Sequence, residues 1–259
     1  MKSQNKIGQA PRWGLAIILA QASAVHAGSF AVNPVRVTLS ANQAVAAVTV
    51  RNVGSDATVV QLETSSWAQR DGKDVLETTN EVLATPPILT IPAGGTRIIR
   101  VGLRRPADAQ RELTYRLFLR EVPPPEPIAQ GLRVSLLVSM PIFVVPPRLP
   151  TAEIHWRATR TSDGQIRVRA NNTGKAHIQL GQLDIALAAG GAPVAARAMS
   201  EYVLPDNARE WTVETKSAPS VGTLLSVSSQ TDSGKAHWDV KLEDDTRELT
   251  PTTPATASR

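Results

Sequence analysis

The 259-residue chain contains no cysteine. Disulfide frameworks, thiolate zinc sites and cysteine nucleophiles are therefore excluded together. Aromatic residues make up only 4% of the chain, too few for the exposed platforms that grip sugars or stack on single-stranded nucleic acid. His155, His177 and His237 lie far apart without metal-ligand spacing such as HExxH, and each reads as a half-exposed strand residue. No GxSxG elbow, dinucleotide-type glycine fingerprint or P-loop occurs. The acidic group Asp239, Glu243, Asp244 and Asp245 lacks the rhythm of a calcium loop and reads as a solvated strand end. These absences imply no enzyme, no cofactor, no metal and no small-molecule substrate. Long apolar runs are missing too: none reaches the roughly 20 residues of a membrane span.

The charge balance is 28 Lys and Arg against 23 Asp and Glu, or +5. Part of that excess sits in residues 1–27, where Lys2, Lys6 and Arg12 precede the apolar stretch from Trp13 to Ala20. Val25-His26-Ala27 then offers small residues to a peptidase, which completes the layout of a secretory signal. Without it, 25 basic residues face 23 acidic ones. The high isoelectric point is thus no argument for nucleic acid as a partner. The expected product is a periplasmic protein that begins at Gly28.

What remains is a series of short β-prone runs with no convincing amphipathic helix. Phe30 to Leu39, Ala44 to Asn52, Thr58 to Trp67 and Thr96 to Leu103 read as strands. "NVGSD" (52–56), "RDGK" (70–73) and "PAGG" (92–95) read as turns, because Gly, Asn and Asp accept the positive φ that β-branched residues resist. Many short strands at such spacing predict a sandwich or barrel. "VTVRNVGSDATVVQLETSSW" (48–67) and "IRVRANNTGKAHIQLGQLDI" (166–185) share one plan: a strand ending in Arg or Ala before Asn, a glycine turn, and a second alternating strand. That echo predicts two stacked sandwiches. Asn171-Asn172-Thr173 within it matches a glycosylation sequon and reads as a turn. The prolines of Pro146-Pro147-Arg148-Leu149-Pro150 mark a stiff boundary. The expected organisation is 1–27 leader, 28–147 first domain, 148–245 second domain and a disordered tail over 246–259.

The segment "RELTYRLFLREVPPPEPIAQGLRVSLLVSMPIFVVPP" (111–147) holds two β runs around a proline-rich loop. In the second run Leu132, Val134, Leu136, Val138 and Met140 share one face, and the strand continues as Ile142-Phe143-Val144-Val145. Leu137 interrupts the opposite, polar face. So long an apolar strand either lines its own core or offers an edge and an apolar face to another chain.

Here the residues resemble a family, the periplasmic pilus chaperones of the chaperone–usher pathway. "ATPP" (84–87) and "IPAGGTRIIRV" (91–101) are similar to its loop and following strand. "TYRLFLREVPP" (114–124) is similar to its F1 strand, "GLRVSLLVSMPIFVVP" (131–146) to its long G1 strand, and "RANNTGKAHIQLGQL" (169–183) to the opening of its second domain. The resemblance implies an all-β protein of two immunoglobulin-like β-sandwich domains set at an angle. It also implies a pilus subunit and an outer-membrane usher as partners. Leu132, Val134, Leu136 and Val138 would complete the subunit's open core by donor-strand complementation. The family anchors the subunit's terminal carboxylate with an Arg, which maps onto Arg36, and a Lys, which maps onto the non-basic neighbourhood of Pro141. Thr114-Tyr115-Arg116 is closer to the archaic branch, and Arg116 can replace the missing cation, since a guanidinium suits a carboxylate. A structural pilus subunit is the alternative the same strands admit, and an exported carbohydrate-binding module is a third.

Overall fold

A computed structural model describes residues 30–123, 134–215 and 219–245, and these contain no helix. The leader, Leu132 and the stretch 246–259 lie outside the described residues. The first sandwich is built from β1 (Phe30–Asn33), β2 (Val37–Ser40), β3 (Val45–Asn52), β4 (Thr58–Arg70), β5 (Lys73–Thr78), β6 (Val82–Thr85), β7 (Ile88–Ile91), β8 (Thr96–Leu103), β9 (Leu113–Val122) and β10 (Leu137–Val145). One sheet runs β1-β3-β8-β6, and the other runs β2-β10-β9-β4-β5 with β7 also on β4. Alternate residues from both sheets, among them Val48, Val50, Ile99, Leu117, Leu119 and Ile142, meet in a shared core.

The second sandwich comprises β11 (Ile154–Arg160), β12 (Ile166–Asn172), β13 (Ile178–Leu187), β14 (Ala195–Arg197), β15 (Glu201–Val203), β16 (Asn207–Val213), β17 (Leu224–Thr231) and β18 (Gly234–Asp244). Its hydrogen-bonded path is β14-β13-β17-β18-β11-β12-β16, with β15 on β13. Val168, Leu183, Ile185, Val227 and Leu242 form its own core. Three tryptophans that are distant in sequence converge there: Trp156 lies 6.1 Å from Trp211 and 5.3 Å from Trp238, centroid to centroid. They pack against the core rather than forming an exposed platform.

The sequence echo has a physical counterpart. Asn52 closes β3, and its amide donates to the carbonyls of Asp56 (2.7 Å) and Ile91 (3.0 Å) while its oxygen accepts from Gly54 N–H. Asn172 closes β12 and repeats the set, donating to Ala176 (2.8 Å) and Val203 (3.1 Å) and accepting from Gly174 N–H. Both side chains are buried, so each satisfies main-chain groups that water cannot reach. Gly174 has a further reason to be glycine, because a Cβ there would lie 2.4 Å from the main chain of Thr151 and Glu153.

Two expectations from the sequence are corrected. Phe30 to Leu39 is two strands, not one: the chain bends at Pro34, leaves the sheet of β1, and rejoins the opposite sheet as β2, parallel to β10. Proline offers no N–H to continue the first ladder. Of the long strand expected over 131–146, residues 131–133 lie outside the described residues, and the described part is a regular strand only from Leu137. Just before it, Leu136 N–H donates to the side chain of Glu121 at 2.9 Å instead of to a main-chain carbonyl.

Asn172→Ala should destabilise the second sandwich by about 2–4 kcal/mol, since it removes four hydrogen bonds, including one from Glu153 N–H, and strands buried carbonyls. Urea unfolding followed by the fluorescence of Trp156, Trp211 and Trp238 would measure it.

Candidate functional site

Strand β10 carries its own gradient of burial. Met140, Ile142 and Val144 point into the first core and are essentially inaccessible. Towards the start of the strand the same face emerges: Val138 and Leu136 are only partly buried against that core, and Val134 is 49% exposed. The even-numbered face is thus private core at one end and uncovered at the other. Of the two readings left open by the sequence pattern, private core holds from Met140 onward and does not describe the exposed stretch before it.

Main-chain geometry supplies an edge. Glu121 N–H donates to the Leu136 carbonyl, and the antiparallel register pairs Leu137 with Arg120 through to Val144 with Leu113. In such a ladder, main-chain groups of even-numbered residues face β9 and those of odd-numbered residues face away. Strand β2 takes up the odd side only from Ile142 onward. Among the described residues, no strand pairs with the outer edge of Leu137 and Ser139, whose side chains are also exposed. Pro141 ends this open stretch, having no N–H to offer.

Beside the edge, the outer face of β4, β9 and β10 meets the second sandwich. Trp67, Phe143 and Leu204 are buried together, with Tyr202 packed against them. Trp67 stands edge-on to Tyr202 at 5.5 Å and lies 6.1 Å from Phe143. Arg116 faces Pro141 across the ladder, and its guanidinium carbon lies 3.7 Å from the Trp67 ring centre and 5.9 Å from that of Tyr202. Burial lowers the Arg116 pKa from its ordinary value, yet a guanidinium remains charged. Among the described residues no carboxylate pairs with it; Asp74 and Tyr202 act on it only at longer range. Arg36 differs: it is bonded to Asp232 of the second sandwich at 3.4 Å and is half-exposed. Both cations nevertheless lie near the Tyr202 phenol, whose pKa burial pushes up and whose anion the arginines favour.

Several residues of this interface escaped the sequence reading. Gln69 is buried and spans the two sandwiches, donating to Tyr202 carbonyl at 2.9 Å and accepting from Leu204 N–H at 3.0 Å. Arg209 of the second sandwich bonds Asp74 of the first and Glu201 of its own. Burial would raise the Asp74 carboxyl, but hydrogen bonds from Gln69 and Arg209 and the Arg209 charge hold it below its usual range. His177 is not the half-exposed strand residue expected from the sequence; it lies between Glu112 and Asp232, stacked on Phe143 at 3.6 Å. No local pattern could have indicated this, because its partners are distant in sequence.

The N-terminal domain matches a known family. Residues 29–150 fit the model of the pili and flagellar-assembly chaperone, PapD N-terminal domain. No curated protein sequence matches the chain at a significant level. Among solved structures, the fold is similar to a chain of the CsuC–CsuE chaperone–tip adhesion subunit pre-assembly complex from the archaic chaperone-usher Csu pili of Acinetobacter baumannii. The identity there is 20%, with 83% of this chain and 99% of that one covered at a TM-score of 0.61. It is also similar to the E. coli chaperone DraB, with 18% identity, 84% and 98% coverage and a TM-score of 0.57. The CupB2 chaperone of Pseudomonas aeruginosa gives 16%, 82% and 100%, and 0.56. These likenesses speak for the fold, two immunoglobulin-like β-sandwich domains. The family match itself covers the N-terminal domain alone, residues 29–150.

Proposed function

We propose that the protein caps a pilus subunit in the periplasm by lending it the outer end of β10, and delivers it to an outer-membrane usher. The observation that carries this reading is the emergence of the β10 core face, from buried Met140 through half-buried Val138 and Leu136 to exposed Val134. A subunit whose sandwich lacks a strand would accept these side chains into its own core, and Leu132 has the parity to follow them. The unpaired edge at Leu137 and Ser139 would supply the main-chain ladder of strand addition. The role is one of binding, with no catalytic step. The first sandwich holds its own last strand, paired with both β2 and β9, which favours the chaperone over a pilus subunit awaiting a donor. The CsuC–CsuE likeness supports placing the protein near the archaic branch.

Arg116 is the preferred anchor for the subunit's C-terminal carboxylate, with Arg36 as the second cation. A half-buried guanidinium stacked on Trp67 without a carboxylate gains a charged hydrogen-bond partner when one arrives. Arg36 would first have to exchange Asp232.

Val134→Asp tests the donor strand with little risk to the fold, because this side chain is exposed in the free protein. Losing one buried aliphatic costs about 1.5–3 kcal/mol, and a carboxylate facing the subunit core adds desolvation. Subunit binding by the purified variant should weaken about 100-fold or more, with its thermal midpoint unchanged. Unaltered binding would remove Val134 from the interface.

Arg116→Ala should weaken subunit retention by roughly two to three orders of magnitude, and Arg36→Ala by less. Amidating the subunit's C-terminus should weaken wild-type binding but add little to Arg116→Ala. Additive losses in that double cycle would show that Arg116 and the carboxylate do not meet.

A further inference from the structure

His177 sits where the two sandwiches touch, just before β13. Its Nδ1 is 2.7 Å from Glu112 Oε1, a side chain that enters from the turn before β9 and is almost wholly buried. Its Nε2 is 3.2 Å from Asp232 Oδ2, in the turn between β17 and β18. The second contact is a close ion pair whose alignment falls short of a full hydrogen bond. Phe143 of β10 covers one face of the ring at 3.6 Å and 7°, and Tyr202 of β15 packs at 5.5 Å. Arg36, preceding β2, faces the ring through Asp232. Lys175, two residues before His177, is turned to Asp206.

A neutral imidazole has one N–H donor and one bare lone pair. With a carboxylate oxygen beside each ring nitrogen, the neutral ring must point a lone pair at an anion. Only the imidazolium satisfies both sides. Losing its proton also leaves Glu112, buried at the interface, facing a weaker partner, and an unpaired charge there is costly.

We propose that His177 is a proton-operated clamp between the two domains: as imidazolium it ties Glu112 of the first to Asp232 of the second, and as neutral imidazole it loosens the interface. Burial alone would lower the His177 pKa, but the close Asp232 carboxylate and the hydrogen bond and charge of Glu112 outweigh it and raise the value. An unfolded histidine titrates near about 6.5. With the folded value above that, the clamp's contribution is complete below about pH 6.5 and is lost as pH rises through the folded pKa. Phe143 lies on β10 two residues from Pro141, so loosening at His177 reaches the cleft that holds Arg116.

The free protein tests this without any partner. The chain has no cysteine, so Thr90→Cys in β7 and Lys241→Cys in β18, both exposed positions, accept one spin label in each domain. Between about pH 5 and 9 the interdomain distance should change from one narrow population to a broader distribution. The population ratio should shift by at most about tenfold per pH unit, as one proton requires. In the His177→Gln background the distribution should be the same at every pH. A distribution that ignores pH overturns the proposal, and so does a pH response that survives His177→Gln. Should that variant fail to fold, the titration of the wild-type His177 ring by NMR decides. A midpoint that coincides with the distance change supports the clamp, and a distance change at a different pH overturns it.

Discussion

The main chain of Leu137 and Ser139 has hydrogen-bonding groups directed away from β9, and β2 begins too late to meet them. Folded proteins ordinarily cover or charge such an edge, because it invites another strand. Here no described strand covers it, and it runs beside a half-covered core. The rest of the first sandwich can be understood from that constraint. Strand β2 crosses from the opposite sheet to secure the inner half of β10, where Ile142 and Val144 are buried. Among the described residues the outer half has no strand on that side; β9 pairs with its other side, and Glu121 bonds both the carbonyl and the N–H of Leu136. A chain that pairs with this edge receives both a ladder and an apolar face.

The second sandwich matters because it shapes the cleft at the inner end of the same strand. Phe143 uses the odd face of β10 to pack against Trp67, Tyr202, Leu204 and His177. The interface joins that aromatic cluster to polar links of different strength. Gln69 satisfies two main-chain groups and is insensitive to pH, whereas Arg209–Asp74, Arg36–Asp232 and the His177 cluster depend on charge. Exposed pairs of this kind contribute little; those with a buried partner, such as Glu112, contribute more to orientation than to stability. Arg116 stands out within this arrangement because it is a half-buried cation held by a ring rather than, among the described residues, by an anion.

Much of this was legible in the sequence, and the legible part was local. Alternation in β9 and β10 marked the strands, and the apolar parity of Val134, Leu136 and Val138 marked the face that emerges from the core. The repeated Asn-x-Gly turn marked Asn52 and Asn172, which make equivalent bonds in the two sandwiches. The missing information was long-range. Nothing near Pro34 shows that the strand changes sheets there, although proline gives a reason once the bend is known. Nothing near His177 indicates Glu112 or Asp232, and nothing near Trp156, Trp211 or Trp238 indicates that the three meet. Arg116 and Arg36 were found through resemblance; only the fold shows that one of them already has a carboxylate and the other does not.

Amide hydrogen exchange of the protein bound to a pilus subunit tests the β10 account most directly. In the free protein the N–H groups of Leu137 and Ser139 should exchange freely, since no described strand receives them. In the complex they should become protected together, while Leu117 and Leu119 of β9, already buried, change little. Subunit binding that leaves Leu137 and Ser139 as exposed to exchange as before would contradict the account, and would place the contact on another face of the protein.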